Sequence, residues 1–505
     1  MARRVTPGGK TPWSATDWVA LAVLGVGAAL GRLWHLGSPS KVIFDETYYA
    51  KDACWYAYSS AKRCGISEEQ TSVHPPLGKW LISLGVKAAG YDSFGWRVAA
   101  VAAGVLSVIA VFILARKLLG TTWQAVLAAA LMAIDPLHFV QSRVAMLDIF
   151  VVMLGLAAFL FLAFDRDRTT GATGDPLRGE PLVARLRLWR LAAGLAAGAA
   201  VASKWSGVLW LAAIVWLTLV WELAKRREEG VKHPARRALA AEGWTILAWL
   251  VLAPMAVYAL SYAGRLDGVV AAAPWSDGSF WRALFDRQLF MYEFHSGLES
   301  THSFQSPPWS WFLLKRPVSY YFDTTPSGDY REIIALGSPV VWWASLVALL
   351  YVAWSWLRAR SWRGPKGMIL AGFSWAYLPW LVLAGARSAV FLFYALPSVP
   401  FMCLALAWVA GGVRRLRGGR TAIAVASVAA AALFAFYWPL LTGAPISQGA
   451  WHQRLWVFDD AEGCAKPPAE PTTTLVTETH DGTPVTRTET TKSDASLPPV
   501  GWCWV

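Results

Sequence analysis

The chain has 505 residues, of which 56% are hydrophobic, and this composition excludes an ordinary soluble protein. A net charge of +13 at pH 7 would suggest a nucleic-acid partner in a soluble protein. Here the Lys and Arg residues cluster in short connections between apolar runs, so membrane topology explains the charge and no nucleic-acid partner is expected.

Apolar runs of about 15 to 24 residues, which suit a bilayer core of about 30 Å, occur twelve times along the chain. They lie near 15–34, 77–90, 95–115, 121–137, 145–164, 188–202, 205–223, 241–262, 337–357, 367–385, 389–411 and 421–441. If all twelve crossed, the basic clusters from Arg116 onward would face outward, against the positive-inside rule. One early run must therefore not cross.

The weakest candidate is 77–90, because it is short, follows Pro75-Pro76 and contains Lys79 and Lys87. We interpret it as a helix at the outer interface, where its lysines can extend to water. Eleven crossings then place every basic cluster and the N-terminus in the cytoplasm and the C-terminus outside. The sequence thus predicts a multi-pass protein of the plasma membrane.

This topology predicts an all-α polytopic membrane protein with about eleven transmembrane helices and external juxtamembrane helices. Its parts are a cytoplasmic N-terminus (1–14), a first membrane module (15–262) that includes an external loop (35–94), an external loop that would cover a site (263–336), a four-helix membrane module (337–441) and an external C-terminal segment (442–505).

Four of the five cysteines fall in segments assigned to the outside, where an oxidising compartment permits disulfides. Proximity in sequence favours Cys54–Cys64 and Cys464–Cys503. The last external segment alternates Thr or charge with small apolar residues about the Asp-Gly pair at 481–482, which suits a tight hairpin turn. We interpret it as a small β-hairpin closed by the second bridge, with a disordered Thr-rich tail as the alternative.

Charged residues gather at the predicted outer interface. The adjacent carboxylates Asp45 and Glu46 follow the first span, and the other charged or titratable residues on this side are His74, Lys79, Arg143, Asp148 and Lys204. An acidic pair could simply begin a helix, and each cation alone is typical of a side chain that snorkels to water. Together, two cations at the external ends of spans and nearby carboxylates indicate a site for a phosphorylated lipid headgroup with a general base.

Several motifs, in this order, carry a family resemblance. FDETYY, VHPPLGKW, SRVAMLDIF and ASKWSG in the first half, with SPPWSWFLLKRPVSYYF and RSAVFLFYALPSVPF in the second, resemble the protein O-mannosyltransferase family of the GT-C glycosyltransferase superfamily, in its actinobacterial type. The resemblance covers most of residues 15–441 and implies the GT-C fold. The segment 263–336 is too short for the large lumenal domain of the eukaryotic members.

The resemblance implies an inverting transfer of mannose from polyprenyl-phosphate mannose to Ser or Thr hydroxyls of secreted or membrane proteins. Asp45 is the expected base and Glu46 a second catalytic carboxylate, and the two roles could be interchanged. Arg143 and Lys204 are expected at the donor phosphate. The expected supporting residues are Asp148, His74, Lys79, His302 and Tyr394.

Membrane lipids and the Sec translocon are further expected partners. No cofactor or divalent metal is expected, because two cations can supply the positive charge at the phosphate. Two alternatives stay open: another GT-C enzyme that passes a polyprenyl-phosphate sugar to a lipid or glycan, and a secondary transporter. Transporter sites lie near the bilayer midplane between internal repeats, whereas these charges lie at one face and no repeat is found. A structural scaffold would leave the charged residues unexplained.

Overall fold

The computed structural model describes residues 12–169, 186–263, 265–266, 269–270, 280–297, 304–359, 362, 364–386, 389–455, 473–480 and 483–490. Helices build most of this part of the chain. Those of the first half are α1 (Ala15–Leu33), α2 (Glu46–Tyr58), α3 (Ala61–Cys64), α4 (Leu77–Ala89), α5 (Ser93–Leu119), α6 (Thr122–Ala133), α7 (Pro136–Gln141), α8 (Asp148–Thr169), α9 (Leu188–Ser203), α10 (Gly207–Glu228), α11 (Pro234–Leu247) and α12 (Ala253–Tyr262), with a π-helical turn (Ala248–Leu252) between the last two.

The second half contributes a shorter list of helices. They are α13 (Phe280–Ser296), α14 (Pro308–Trp311), α15 (Pro339–Ala359), α16 (Pro365–Leu383), α17 (Val399–Val413), α18 (Gly419–Thr442) and α19 (Gln448–Leu455), with 3₁₀ turns at Ala384–Ala386 and Leu392–Ser398. Buried side chains of both halves form one continuous core, so the two membrane modules pack as a single body.

Nine helical segments of the described residues are long and apolar enough to cross a membrane. They are α1, α5, α8, α10, the continuous α11–α12 segment, α15, α16, the 3₁₀ turn continued by α17, and α18. The shorter apolar helices α6 and α9 lie at two further predicted crossings, so the nine segments and these two helices occupy the positions of the eleven predicted crossings.

The helix α4 is not among these segments and packs between α2 and α5. Lys79 is fully buried there: its ammonium pairs with Asp52 and Glu69 and donates to the Thr71 carbonyl at 2.6 Å. The prediction that the lysines of this helix extend to water is therefore wrong for Lys79, because two carboxylates of the segment 35–94 meet it inside the fold. Lys87 is exposed.

The disulfide Cys54–Cys64 joins α2 to α3 and confirms the first predicted bridge. Cys464 and Cys503 lie outside the described residues. The predicted C-terminal hairpin is confirmed by strands β5 (Thr473–His480) and β6 (Thr483–Thr490), which pair antiparallel with His480 opposite Thr483.

The all-α prediction missed an antiparallel hairpin in the segment 263–336, which was predicted as a covering loop. Its strands are β3 (Val318–Thr324) and β4 (Tyr330–Ala335), and a two-residue pair, β1 (Arg265–Leu266) with β2 (Val269–Val270), precedes it in the chain. The runs VSYYF and YREII, separated by a Thr-Pro-Ser-Gly-Asp turn, are the signal that could have predicted β3 and β4. The hairpin is buried, and it brings Tyr320 toward Asp45.

Candidate active site

Asp45 is the residue that caps the N-terminus of α2, but its carboxylate accepts no hydrogen bond from the described backbone of that helix. Phe44 before it has a φ of 47°, a left-handed conformation that is strained for an aromatic residue. The Phe44 ring stacks on Tyr320 of β3 at 4.5 Å between centroids. This contact holds the strained turn, and the Asp45 side chain faces other charged groups of the site instead of capping its own helix.

Glu46 is completely buried in a different contact. Its two carboxylate oxygens accept from Nε and Nη2 of Arg97 on α5, each at 2.8 Å, and from the backbone N–H groups of Ile43 and Ala145 at 3.1 and 3.0 Å. A bidentate pair of this kind fixes α2 against α5 and the start of α8. The structure thus does not bring Glu46 to the cavity described below, in contrast to its prediction as a catalytic carboxylate.

Lys204 and Asp148 form a buried ion pair whose two charges both act on Asp45. Lys204 ends α9 and Asp148 begins α8, and the Lys204 Nζ lies 2.9 and 2.8 Å from the two Asp148 oxygens. Burial lowers the pKa of Lys204, but attraction to Asp148 outweighs it and the net pKa is raised, so the ammonium stays charged. The same Nζ lies 5.0 Å from the Tyr394 ring centroid.

The Lys204–Asp148 pair changes the pKa of the half-buried Asp45. Loss of hydration raises its pKa to about 6, although attraction to Lys204 and a hydrogen bond from Tyr49 act in the opposite direction and repulsion from Asp148 adds to the rise. A carboxylate with this pKa is mostly ionised at neutral pH and is a stronger proton acceptor than an ordinary Asp. These properties suit a general base.

A cavity of about 350 Å³ begins at the Lys204–Asp148 pair. Its polar part also includes His74, Tyr394 and His295 of α13. The rest of the wall is mostly apolar and comes from α10 and α16, with the side chains Val208, Leu209, Trp210, Ala376, Trp380 and Leu383. One end of the cavity can therefore take an anion and the other a hydrocarbon chain.

Arg143 has other contacts. Its Nη1 donates to the carbonyls of Arg32 and Trp34 at 2.6 and 2.7 Å, and its guanidinium lies 5.4 Å from the Phe139 ring centroid. These bonds satisfy carbonyls at the C-terminal end of α1, which an α-helix leaves without internal partners. The described contacts of Arg143 thus join α1 to α7, and its contact with a donor phosphate stays a prediction.

The remaining predicted residues fall in different places. His74 lines the cavity, with its ring 5.3 Å from that of His295, and Tyr394 lies beside Lys204. Lys79 joins α4 to Asp52 of α2 and to Glu69 through its ion pairs and does not line the cavity. His302 lies outside the described residues.

Three residues near this site were missed from the sequence: Tyr49, Arg97 and Tyr320. Arg97 carried a signal, because an arginine in an apolar run requires a buried partner. Tyr49 lies one helical turn after Asp45, which is also readable. Tyr320 has no local signal, because its approach to Asp45 depends on the unpredicted hairpin. Its hydroxyl accepts a hydrogen bond from Gln141 at 2.7 Å.

Among the described residues, no group of three or more His, Cys, Asp or Glu side chains is arranged to hold a metal ion.

Comparisons with known proteins agree with this architecture. A family model of dolichyl-phosphate-mannose-protein mannosyltransferase matches residues 92–264, and one of the C-terminal four-transmembrane region of protein O-mannosyltransferase matches residues 280–459. A polyprenol-phosphate-mannose–protein mannosyltransferase of Mycolicibacterium smegmatis is 31% identical over 491 residues, covering 88% of this chain and 93% of the relative. The chain belongs to the protein O-mannosyltransferase family. The predicted enzyme class, a glycosyltransferase, is thereby confirmed.

Other relatives of this protein O-mannosyltransferase include one from Corynebacterium glutamicum, 29% identical over 443 residues, with 80% of this chain and 84% of the relative covered. The Saccharomyces cerevisiae Pmt1-Pmt2 complex, bound to its sugar donor, has a TM-score of 0.69 at 15% identity, with 88% and 93% of the chains covered. ArnT from Cupriavidus metallidurans, bound to undecaprenyl phosphate, has a TM-score of 0.50 at 20% identity, with 84% and 66% covered. These structures confirm the predicted GT-C fold.

Proposed function

We propose that this protein O-mannosyltransferase transfers mannose from polyprenyl-phosphate mannose to Ser and Thr hydroxyls of secreted or membrane proteins at the external face. The observation that carries the proposal is the placement of Asp45 beside the Lys204–Asp148 pair, where an apolar cavity begins. The name of the mycobacterial relative and the donor-bound yeast complex support the same class of donor.

Asp45 supplies the base in this mechanism. A Ser or Thr hydroxyl is a weak nucleophile at neutral pH, so a carboxylate must take its proton as the oxygen attacks the anomeric carbon. Attack from the side opposite the phosphate inverts a β-linked donor to an α-mannoside without a covalent sugar–enzyme intermediate. Tyr49 holds the carboxylate in place through its hydrogen bond.

Lys204 acts on the leaving group. As the glycosidic bond breaks, the lipid phosphate gains a second negative charge, and a cation at that point stabilises the transition state more than the ground state. The ammonium has three N–H groups, and the two Asp148 oxygens hold it within 2.9 Å. Asp148 is therefore the group that orients Lys204, and the apolar walls on α10 and α16 would receive the first units of the prenyl chain.

The pH dependence of the reaction follows from the raised pKa of Asp45. Only the ionised carboxylate accepts a proton, so kcat/KM should fall as the pH drops through about 6. The measurement is kcat/KM for mannose transfer between pH 5 and 8. Tyr49→Phe should move this limb to higher pH because it removes a bond that favours the charged form. An acid limb at the ordinary Asp value near 4 would contradict the assignment.

The acceptor class has a direct test. Membranes that contain this chain are incubated with radiolabelled polyprenyl-phosphate mannose and either a Ser/Thr-rich peptide or a lipid acceptor. We expect label on the peptide. Label only on the lipid would favour the alternative GT-C reaction, and uptake of free sugar without transfer would favour a transporter. Acceptors that emerge from the Sec translocon would meet Asp45 from the aqueous side, which is the reason to propose that partner.

The orientation of the chain remains a proposal, with the N-terminus in the cytoplasm and the C-terminus outside. The basic connections and the Cys54–Cys64 bridge in an external loop support it. A single-Cys probe near residue 230 should be shielded from an impermeant thiol reagent in intact cells, whereas a probe near residue 480 should react. Reaction of both probes, or of neither, would exclude this topology.

We also propose that catalysis needs no divalent metal, because Lys204 already places a positive charge beside the proposed phosphate position. Transfer rates should be unchanged after treatment with EDTA and removal of the chelator. A rate that is lost with EDTA and restored by Mg²⁺ or Mn²⁺ would contradict this proposal.

A further inference from the structure

The helix α13 is attached to the rest of the protein mainly by polar contacts. Gln288 accepts a hydrogen bond from Tyr258, and His295 lies 2.9 Å from the Val73 carbonyl. Met291 is the one fully buried residue among those of α13. A helix that buries so little apolar surface does not owe its position to core packing alone.

The exposed part of α13 is strongly apolar on one side. Trp281, Phe285, Leu289 and Tyr292 follow each other at intervals of four, four and three residues and therefore share one side of the helix. They are 69%, 66%, 45% and 63% exposed. A patch of this kind is not stable against water and marks a surface that meets another apolar phase.

The residues that contact α13 indicate how deep this helix lies in the membrane. Tyr258 and Tyr262 belong to the last turns of α12, and Tyr258 also accepts a hydrogen bond from Trp205, which follows Lys204 in the turn between α9 and α10. On the proposed topology these are external ends of spans. The helix thus lies at the boundary between headgroups and acyl chains, where Trp and Tyr side chains are enriched in membrane proteins.

A polar stripe on α13 agrees with a position at the boundary between headgroups and acyl chains. Arg282 and Asp286 are exposed and lie 3.9 Å apart, and each follows an aromatic residue of the apolar side, Trp281 or Phe285, by one position, which is about 100° around the helix. With the aromatic side toward the lipid, this stripe points toward the headgroups and water.

We propose that α13 is an interfacial helix that rests in the outer leaflet, with Trp281, Phe285, Leu289 and Tyr292 among the lipids, and that it forms the membrane-side wall of the Lys204 cavity. Tyr292, His295 and Ser296 line that cavity, so the same helix contacts bulk lipid and the space beside Lys204. The lipid contact rests on the exposure of these side chains and on the proposed topology. The role of α13 in the entry of a prenyl-linked donor rests on the proposed function.

Lipid contact is tested without reference to activity. Nitroxide labels are placed on Phe285→Cys or Asp286→Cys in the full-length protein, with Cys403, Cys464 and Cys503 replaced by Ser and the Cys54–Cys64 bridge kept. In phosphatidylcholine–phosphatidylglycerol nanodiscs, the ratio of O₂ to nickel-chelate accessibility should be at least about threefold higher at position 285 than at the adjacent 286, because O₂ concentrates in lipid. Equal, water-like ratios at both positions would overturn the proposal.

The role in substrate access has a second test. Phe285→Ser should raise the KM for the full-length polyprenyl donor by about tenfold, because the seating of α13 in the leaflet is weakened. Its KM for the acceptor peptide and its rate with a water-soluble, short-chain donor should stay at wild-type values, as should all constants of the matched control Asp286→Ser. An unchanged donor KM in Phe285→Ser would overturn this role. Failure of the wild-type protein to transfer mannose would instead contradict the proposed function and leave the nitroxide result to decide the lipid contact.

Discussion

Asp45→Asn is expected to lower kcat by about 10²- to 10⁴-fold, because the side chain keeps its size but can no longer accept the proton of the acceptor hydroxyl. The Lys204–Asp148 pair and the cavity walls are untouched by this change, so the KM for the donor should stay near its wild-type value. The measurement is the initial rate of mannose transfer to a Ser/Thr peptide in proteoliposomes, at a pH well above 6 so that wild-type Asp45 is ionised.

Glu46→Gln is the matched control, because it makes the same chemical change at the next residue. Here the amide weakens a buried, bidentate pair with Arg97, and breaking such a pair typically costs about 3–5 kcal/mol of stability. The variant should therefore melt at a lower temperature, and the folded fraction should retain kcat. If Asp45→Asn kept the wild-type rate while folded Glu46→Gln lost it, the base would be Glu46. If both stayed active, a carboxylate base in this motif would be excluded.

The contrast between these two neighbours shows what the sequence could not predict. Asp45 and Glu46 are adjacent acids in the same motif, and no local pattern separates their roles. The separation comes from Arg97, 51 residues away, which takes both oxygens of Glu46 and removes it from the cavity. Asp45 has no such partner on α5, and its surroundings are completed by Lys204 and Asp148 of two other helices.

The spans were predictable for a different reason. Hydropathy and the distribution of basic residues are properties of short segments, and a bilayer imposes a similar length on each helix. The same reasoning set the run 77–90 apart from the crossings, and α4 is not among the candidate spans of the described residues. It gave Lys79 the wrong surroundings, because Asp52 and Glu69 reach this lysine only after the segment 35–94 has folded. The hairpin β3–β4 was missed because it lies in a segment interpreted only as a covering loop.

Arg143→Ala distinguishes a role of Arg143 at the donor phosphate from a role in the stability of α1. If it contacts the donor phosphate as predicted, Arg143→Ala should lower kcat in protein that is still folded. If its main contribution is the pair of carbonyl contacts at the end of α1, the variant should lose stability and keep its rate per folded molecule. Melting temperature and transfer rate, measured on the same preparation, distinguish the two outcomes.

Lys204→Met is expected to lower kcat by about 10²- to 10³-fold, because it removes the cation that meets the charge developing on the departing phosphate. The substitution also leaves Asp148 buried without its partner, which by itself is destabilising. A loss of rate in this single variant would therefore have two explanations, one chemical and one structural.

The double variant Lys204→Met/Asp148→Asn separates them. Removing both charges avoids the destabilisation caused by a buried, unpaired carboxylate. The melting temperature should therefore recover toward that of the wild type while the transfer rate stays low. The Asp148→Asn single variant keeps the cation but loses its orientation, and it should show an intermediate rate. Because Lys204 also lowers the pKa of Asp45, the acid limb of kcat/KM should move to higher pH in Lys204→Met. A double variant that regained both stability and full transfer would show that Lys204 is a structural partner of Asp148 and that the donor phosphate is stabilised elsewhere.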